Sequence, residues 1–232
     1  MSAIIPTLDE AEVIAERVRH LQRHGGEALI EVIVVDGGST DDTVAEAEAA
    51  GATVLRGPTK SRAGQMNRGA EHARGDVLYF VHADARPPDA YLDHISAALA
   101  DGFPVGCFCY RFASESWLLR VNAFFTRFDR IMCRGGDQTL FITRELFEEL
   151  DGFDEDYVIM EDFEFIQRVQ AVAPFTIITE DEVVVSARKY EENSYLRVNL
   201  ANLVVFTMYR LGIAPETLRD TYRRLIRHPK AI

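Results

Sequence analysis

Ile30-Glu31-Val32-Ile33-Val34-Val35-Asp36-Gly37-Gly38-Ser39-Thr40-Asp41-Asp42 is the stretch that decides the fold. A β-branched run closed by a carboxylate and two glycines predicts a buried strand that ends in a polar turn. Ser39 and Thr40, followed by Asp41 and Asp42, supply a hydroxyl N-cap and a first turn favoured by the helix dipole, so a helix to about residue 50 is expected. Upstream, Val13, Ile14, Val18 and Leu21 recur at helical spacing, which makes residues 10–24 a helix feeding the strand. Downstream, the pattern predicts a strand at 53–55, a helix at 62–74 stopped by Gly75, and a strand at 76–81. This alternation predicts an α/β fold with a mostly parallel, doubly wound sheet, whose ligands sit at the carboxyl ends of the strands.

The second half is less regular. Helices are expected at 88–100, 116–130, 144–150 and 161–173, and strands at 105–112, 139–143 and within 175–186. Two closing helices are expected at 193–211 and 215–227, separated by Gly212. No linker or repeat divides the 232 residues, so one domain is expected: a nucleotide-binding half over about 1–100, an acceptor and catalytic half over 101–190, and C-terminal helices over 191–232. Leu118, Leu119, Val121, Phe124, Phe125 and Phe128 form a broad apolar face on the 116–130 helix, expected to be buried core. With Arg120, Arg127 and Arg130 beside it, the alternative is an acceptor groove or a lipid-facing surface.

Twenty-five Lys and Arg against 37 Asp and Glu give a net charge of -12, which argues against nucleic-acid binding. An anionic small molecule would need a bound cation or locally placed arginines. Cys107, Cys109 and Cys133 form no CxxC pair and read as packed, reduced thiols of a cytoplasmic protein. Residues 1–6 lack the pattern of a secretory leader, and the longest apolar stretch, 198–208, falls short of the ~20 residues that cross a bilayer. Membrane contact is therefore expected to be peripheral at most.

Four polar clusters follow strands or open helices. Pro6-Thr7-Leu8-Asp9-Glu10 reads by itself as a turn or cap; Asp36-Gly37-Gly38-Ser39 lets backbone amides approach a ligand while the carboxylate accepts from a base or sugar. In His82-Ala83-Asp84, strand geometry carried two residues further would project imidazole and carboxylate from one side, as a divalent cation requires. Asp84 is the harder donor and suits Mg2+ or Mn2+; His82 shifts preference toward softer ions. Glu161-Asp162 opens a helix, where two carboxylates either complement the dipole or provide a general base.

In order, and together with Lys60-Ser61-Arg62-Ala63-Gly64-Gln65-Met66-Asn67, these clusters resemble the family 2 glycosyltransferases of the GT-A fold. Residues 5–10 are similar to that family's Pro-x-x-Asn-Glu opening, with Asp9 in place of Asn, and residues 34–41 to its Asp-x-x-Ser-x-Asp. His82-Ala83-Asp84 falls where the Asp-x-Asp metal motif belongs, with His82 replacing the first Asp, and Glu161-Asp162 where the catalytic Glu-Asp belongs. Gly135-Gly136-Asp137-Gln138 and Ser186-Ala187-Arg188 resemble a small soluble bacterial subgroup.

The resemblance implies an inverting, metal-dependent transferase that takes a nucleoside-diphosphate sugar donor and an acceptor hydroxyl of unknown identity, a lipid-linked acceptor being one alternative. Pro6, Thr7, Asp9, Glu10, Asp36, Gly37 and Ser39 would bind the nucleoside; Lys60, Arg62, Gln65 and Asn67 would lie near the base or diphosphate. Asp84 and His82, beside Ala83, would hold Mg2+ or Mn2+. Gly135, Gly136, Asp137, Gln138 and Arg188 would line the sugar or acceptor side, and Asp162 with Glu161 would do the chemistry. The Gln-x-x-Arg-Trp motif of the polymerising synthases is absent, which argues against processive synthesis. A non-catalytic nucleotide-binding protein remains an alternative; a nucleotidyltransferase fits less well, because residues 4–10 are acidic and lack Gly.

Overall fold

The computed structural model describes residues 1–57, 61–130 and 138–227. Its first strand, β1 (Ser2–Thr7), is followed by α1 (Ala11–His24), β2 (Glu31–Asp36), α2 (Thr43–Ala49), β3 (Thr53–Arg56), α3 (Arg62–His72) and β4 (Val77–Phe80). Then come β5 (Ala85–Arg86), α4 (Tyr91–Ala100), β6 (Val105–Phe112), α5 (Trp117–Phe125), β7 (Leu140–Thr143) and α6 (Arg144–Glu149). The chain continues through α7 (Glu161–Val172), β8 (Phe175–Val185), α8 (Arg188–Glu192), α9 (Tyr195–Arg210) and α10 (Pro215–Leu225).

The described strands make one sheet in the order β3-β2-β1-β4-β7-β6-β8-β5. Strands β3, β2, β1 and β4 run parallel, as do β6 and β8, whereas β7 runs against both its neighbours and β5 against β8. The sheet is mostly parallel, as expected, and helix–strand periodicity carries no information on the reversed direction of β5 and β7. Among the elements named above, β1, β5 and α8 have no counterpart in the sequence reading. Pro6 sits in β1 without breaking the ladder: its main chain faces β4, whose pairing with β1 ends at Ile4.

Both faces of the sheet are covered. Val32 and Val34 of β2 and Ala3 and Ile5 of β1 pack with Ile14, Val18 and Leu21 of α1 on one face. Ile33, Val35 and Ile4 point the other way, into Met66 and Ala70 of α3 and Phe147 and Phe165 of α6 and α7. Helix α3 lies so close that a Cβ on Gly69 would come within 2.4 Å of Ile4 Cγ2. Cys107 and Cys109 are buried, and burial pushes the Cys109 thiol up to about 11, so it is unreactive near neutrality. Cys133 lies outside the described residues.

The apolar face of α5 departs from its expected burial. Leu119, Ala123 and Thr126 turn inward, whereas Trp117, Val121, Phe124, Phe125 and Phe128 are exposed. The helix sits on β6 along its small residues, and the Thr126 hydroxyl accepts from Tyr110 N at 3.3 Å. The large side chains therefore lie on the outer side of the helix, away from the sheet.

Replacing Gly69 with Ala weighs two effects of opposite sign. Helix propensity would gain about 1 kcal/mol, while forcing a methyl into packed Ile4 and Val35 costs about 1–3 kcal/mol. With the added Cβ only 2.4 Å from Ile4 Cγ2 the cost falls in the upper half of its range, and a net loss of about 1 kcal/mol or more in urea unfolding is expected. Equal or greater stability would mean that α3 can back away from the sheet.

Candidate active site

Because β1, β2 and β4 are parallel, their carboxyl ends share one edge of the sheet, and the antiparallel β7 starts at that same edge, with Leu140 beside Phe80. The turn after β1 and the turn after β2 are laced together there. Asp9, at φ 53°, accepts from Thr40 N at 2.7 Å, while its own N–H donates to Ser39 Oγ at 2.9 Å. Glu10 N donates to Thr43 Oγ1 at 2.7 Å, and Ala11 N to Asp41 Oδ2 at 3.2 Å. Ser39, Thr40 and Asp41 are thus engaged across the loop, which is why α2 starts only at Thr43 and is not capped by Ser39 as expected. An Asp at position 9 tolerates the left-handed backbone that this turn needs.

Asp36 ends β2 almost fully buried, and its carboxylate accepts from Gly38 N at 3.0 Å and Ser39 N at 3.1 Å. A carboxylate has about four acceptor positions, so capacity remains for a ligand donor. Gly37 N donates to Thr7 O at 2.9 Å, and Thr7 itself is buried. Gln65 spends its amide nitrogen on Thr7 O and Val35 O, at 2.8 and 2.7 Å, pinning α3 to the ends of β1 and β2. Asn67 likewise braces the segment before α7, donating to Phe153 O at 2.8 Å and accepting from Phe153 N at 2.9 Å. Gln138 donates to Phe108 O and Thr126 O at 3.2 Å. Gln65, Asn67 and Gln138, expected to touch substrate, all have main-chain partners. Lys60, Gly135, Gly136 and Asp137 lie outside the described residues.

The metal-motif segment is a turn and not an extension of β4. The strand ends at Phe80, and Ala85 N donates back to His82 O at 3.0 Å. Alternation therefore does not govern which way His82 and Asp84 point. Under this turn lies Arg17, whose Nε donates to Ala83 O at 3.3 Å. It is a buried arginine on the inner face of α1, and its Nη1 has no hydrogen-bond partner among the described residues. Burial lowers the Arg17 pKa, against which the Glu16 and Asp84 carboxylates favour the charged form. Sequence reading missed Arg17, although its place four residues before Leu21 on an apolar face was a usable signal.

Glu161 and Asp162 open α7 but do different work. Glu161 is buried, with Oε1 3.1 Å from Arg62 Nη1, an ion pair that is off the line of a good hydrogen bond. Asp162 instead lines a small cleft together with His82, Thr139, Phe153 and Ile166. Arg188 comes to the other side of the edge, 3.9 Å from Glu10. Arg62 and Arg188 thereby bring positive charge to an acidic chain at the edge where an anionic donor would lie.

Two other features lie elsewhere. His20, His24 and Asp89 cluster near the far end of α1; His20 Nε2 is 2.9 Å from Pro87 O, and Asp89 is 3.2 Å from Arg86, so these groups already have partners. A cavity of about 580 Å³ lies along β5, β8 and β6, with Arg86, Arg111 and Arg127 facing Asp89, Asp181 and Glu182. It contains none of the expected donor-binding residues.

Comparisons with known proteins give the family and the fold. The model of Glycosyl transferase family 2 matches residues 2–149, and the chain belongs to that family. It is 31% identical over 199 residues to the "Uncharacterized glycosyltransferase Rv1514c" of Mycobacterium tuberculosis, covering 76% of this chain and 71% of that one. In fold it is similar to S. aureus TarS residues 1–349, at TM-score 0.68 and 16% identity, covering 95% of this chain and 68% of that one. It is also similar to glucosyl-3-phosphoglycerate synthase from Mycobacterium tuberculosis, solved with Mn2+, UDP and glucosyl-3-phosphoglycerate. There the TM-score is 0.63 and the identity 18%, over 91% of this chain and 80% of that one. The protein is a glycosyltransferase of the GT-A fold.

The Arg62–Glu161 contact joins the start of α3 to the start of α7 and can be tested directly. Breaking a buried pair costs about 3–5 kcal/mol and an exposed one about 0–1. With Arg62 partly exposed, Arg62→Met should destabilise by ~2 kcal/mol, and adding Glu161→Gln should restore at least half of that. Additive losses in urea unfolding would show that the two groups are not coupled.

Proposed function

We propose that this glycosyltransferase moves a sugar from a nucleoside-diphosphate sugar to an acceptor hydroxyl with inversion, and that it uses Mg2+ or Mn2+. The observation that carries the proposal is the division of labour at α7: Glu161 is fastened to Arg62 while Asp162 opens into the cleft that His82 lines. The UDP and Mn2+ held by the structurally similar synthase support a donor and metal of this class.

The nucleoside would rest on the laced turns, with Asp36 accepting from the base and Thr7, Asp9, Glu10 and Ser39 around it. Arg62 and Arg188 would face the diphosphate and sugar. The donor set suits a divalent cation by its chemistry: Asp84 would contribute a hard oxygen and His82 an imidazole nitrogen, a mixture that suits Mn2+ better than Mg2+. Such a cation would neutralise charge on the departing diphosphate. Asp162 would take the proton from the acceptor hydroxyl as its oxygen bonds to the anomeric carbon from the face opposite the leaving group. The bond to the diphosphate breaks as the new one forms, which inverts the centre.

Calorimetry with UDP and GDP checks the metal role. Each nucleotide that binds should do so at least tenfold more tightly with Mn2+ than with chelator, and Asp84→Ala should erase that difference. Equal affinity in the two buffers would remove the metal from the proposal.

Asp162→Asn keeps the shape of the side chain but not its basicity. Nucleotide affinity should stay within about twofold while release of nucleoside diphosphate from the donor slows by on the order of 10²–10⁴. Turnover at the unmodified rate would assign the proton to another group.

A further inference from the structure

Two helices leave apolar side chains in water. On α5 and the turn after it, Trp117 is 69% exposed, and Phe124 stands edge-on to Phe125 and Phe128, which are tilted to each other, with centroids 5.4 to 6.2 Å apart. On α9, Leu196, Leu200 and Leu203 are exposed, Leu196 at 78%, at the spacing of one helix face.

These faces adjoin. Asn122 of α5 donates to Asn199 of α9 at 3.1 Å and accepts from the Tyr195 hydroxyl at 2.6 Å. Advancing 100° per residue, Asn122 separates the buried Leu119 and Ala123 from the exposed Val121 and Phe125. Asn199 likewise separates buried Val198 from exposed Leu196 and Leu203. The two exposed stripes therefore flank one hydrogen-bonded seam and form one surface.

Charge says what covers it. Residues 116–130 and 193–227 carry nine arginines against Asp129, Glu216 and Asp220, a local net charge of +6 in a chain of -12, and eight arginines remain when Arg127, paired with Glu182, is set aside. A second copy seated face to face would set these arginines against each other. An anionic lipid surface complements them: the rings and leucines enter the acyl boundary, and the arginines reach the headgroups.

We infer that the α5–α9 surface docks the protein on an anionic phospholipid bilayer. Docking lies in the plane of the membrane and needs no spanning segment; no helix among the described residues is long and apolar enough to cross one. Helix α9 also packs on α7, with Phe206 5.8 Å from Phe163 and the Tyr209 hydroxyl donating to Gln167 at 2.9 Å. The docked face is thus carried by the helix that buttresses the segment bearing Asp162. An acceptor hydroxyl held at the bilayer surface is the substrate class this arrangement suits.

Trp117 is the only tryptophan of the chain and reports on its own surroundings. With vesicles containing about a third phosphatidylglycerol, its emission should shift to the blue and the protein should co-sediment. Pure phosphatidylcholine and ~0.5 M salt should each weaken binding at least tenfold. Phe124→Ser with Phe125→Ser should lower vesicle binding at least tenfold without moving the melting temperature, because both side chains are exposed. Arg120→Glu with Arg197→Glu should remove the preference for anionic lipid. These readouts are independent of turnover, so a failed transferase assignment would leave them standing. Absence of both shift and co-sedimentation on anionic vesicles overturns the inference. Concentration-dependent dimers that the Phe variant dissolves, without vesicle binding, would give the surface to a second copy.

Discussion

A strand covered by helices on both faces can hold a charged group only at its end, and this constraint organises the molecule. Val32, Ile33, Val34 and Val35 alternate between two cores, so β2 places its carboxylates only at its two ends, Glu31 where it starts and Asp36 where it stops. The same holds for β1, which ends at Thr7, and for β4, which ends two residues before His82. Parallel pairing then sets the three ends side by side. The polar edge follows from keeping water out of the core.

Loop ends exposed in this way would be soft unless they were tied, and they are tied by their own polar groups. Asp9, Ser39, Thr40 and Asp41 exchange hydrogen bonds between two turns that are some thirty residues apart in sequence. Gln65 fastens α3 beneath them and Asn67 fastens it to the approach to α7. Much of the polar character of these motifs is therefore spent on shaping the edge, and a smaller set of atoms faces the cleft. The Arg62–Glu161 contact extends the same principle to α7, since it leaves Asp162 as the carboxylate of the pair that lines the cleft.

Electrostatics divides the surface in a similar way. An acidic chain that handles an anionic donor must concentrate positive charge where it is used, and Arg62, Arg188 and the buried Arg17 stand close to the edge. A second concentration of arginines lies on the C-terminal helices and α5, beside the exposed aromatic and leucine side chains. The two regions are linked through α9 and α7.

By itself the sequence determined the elements and their chemistry. Helical spacing in α1, the β-branched run of β2 and the exact span of β6 follow from periodicity, and the motif order carried the family. Direction and partnership were decided by tertiary structure. Nothing local to Leu140–Thr143 says that β7 runs against β4, and nothing in Ser39-Thr40 says that its hydroxyls will serve a neighbouring turn instead of their own helix. The amphipathic pattern of residues 116–130 showed which side chains share a face, but whether that face is covered depends on what other layers supply. Here the sheet takes up Leu119 and Ala123 and leaves the phenylalanines outside. Periodicity is a property of one segment; burial, register and cross-loop hydrogen bonds belong to pairs of segments, and only the folded chain decides which pairs meet.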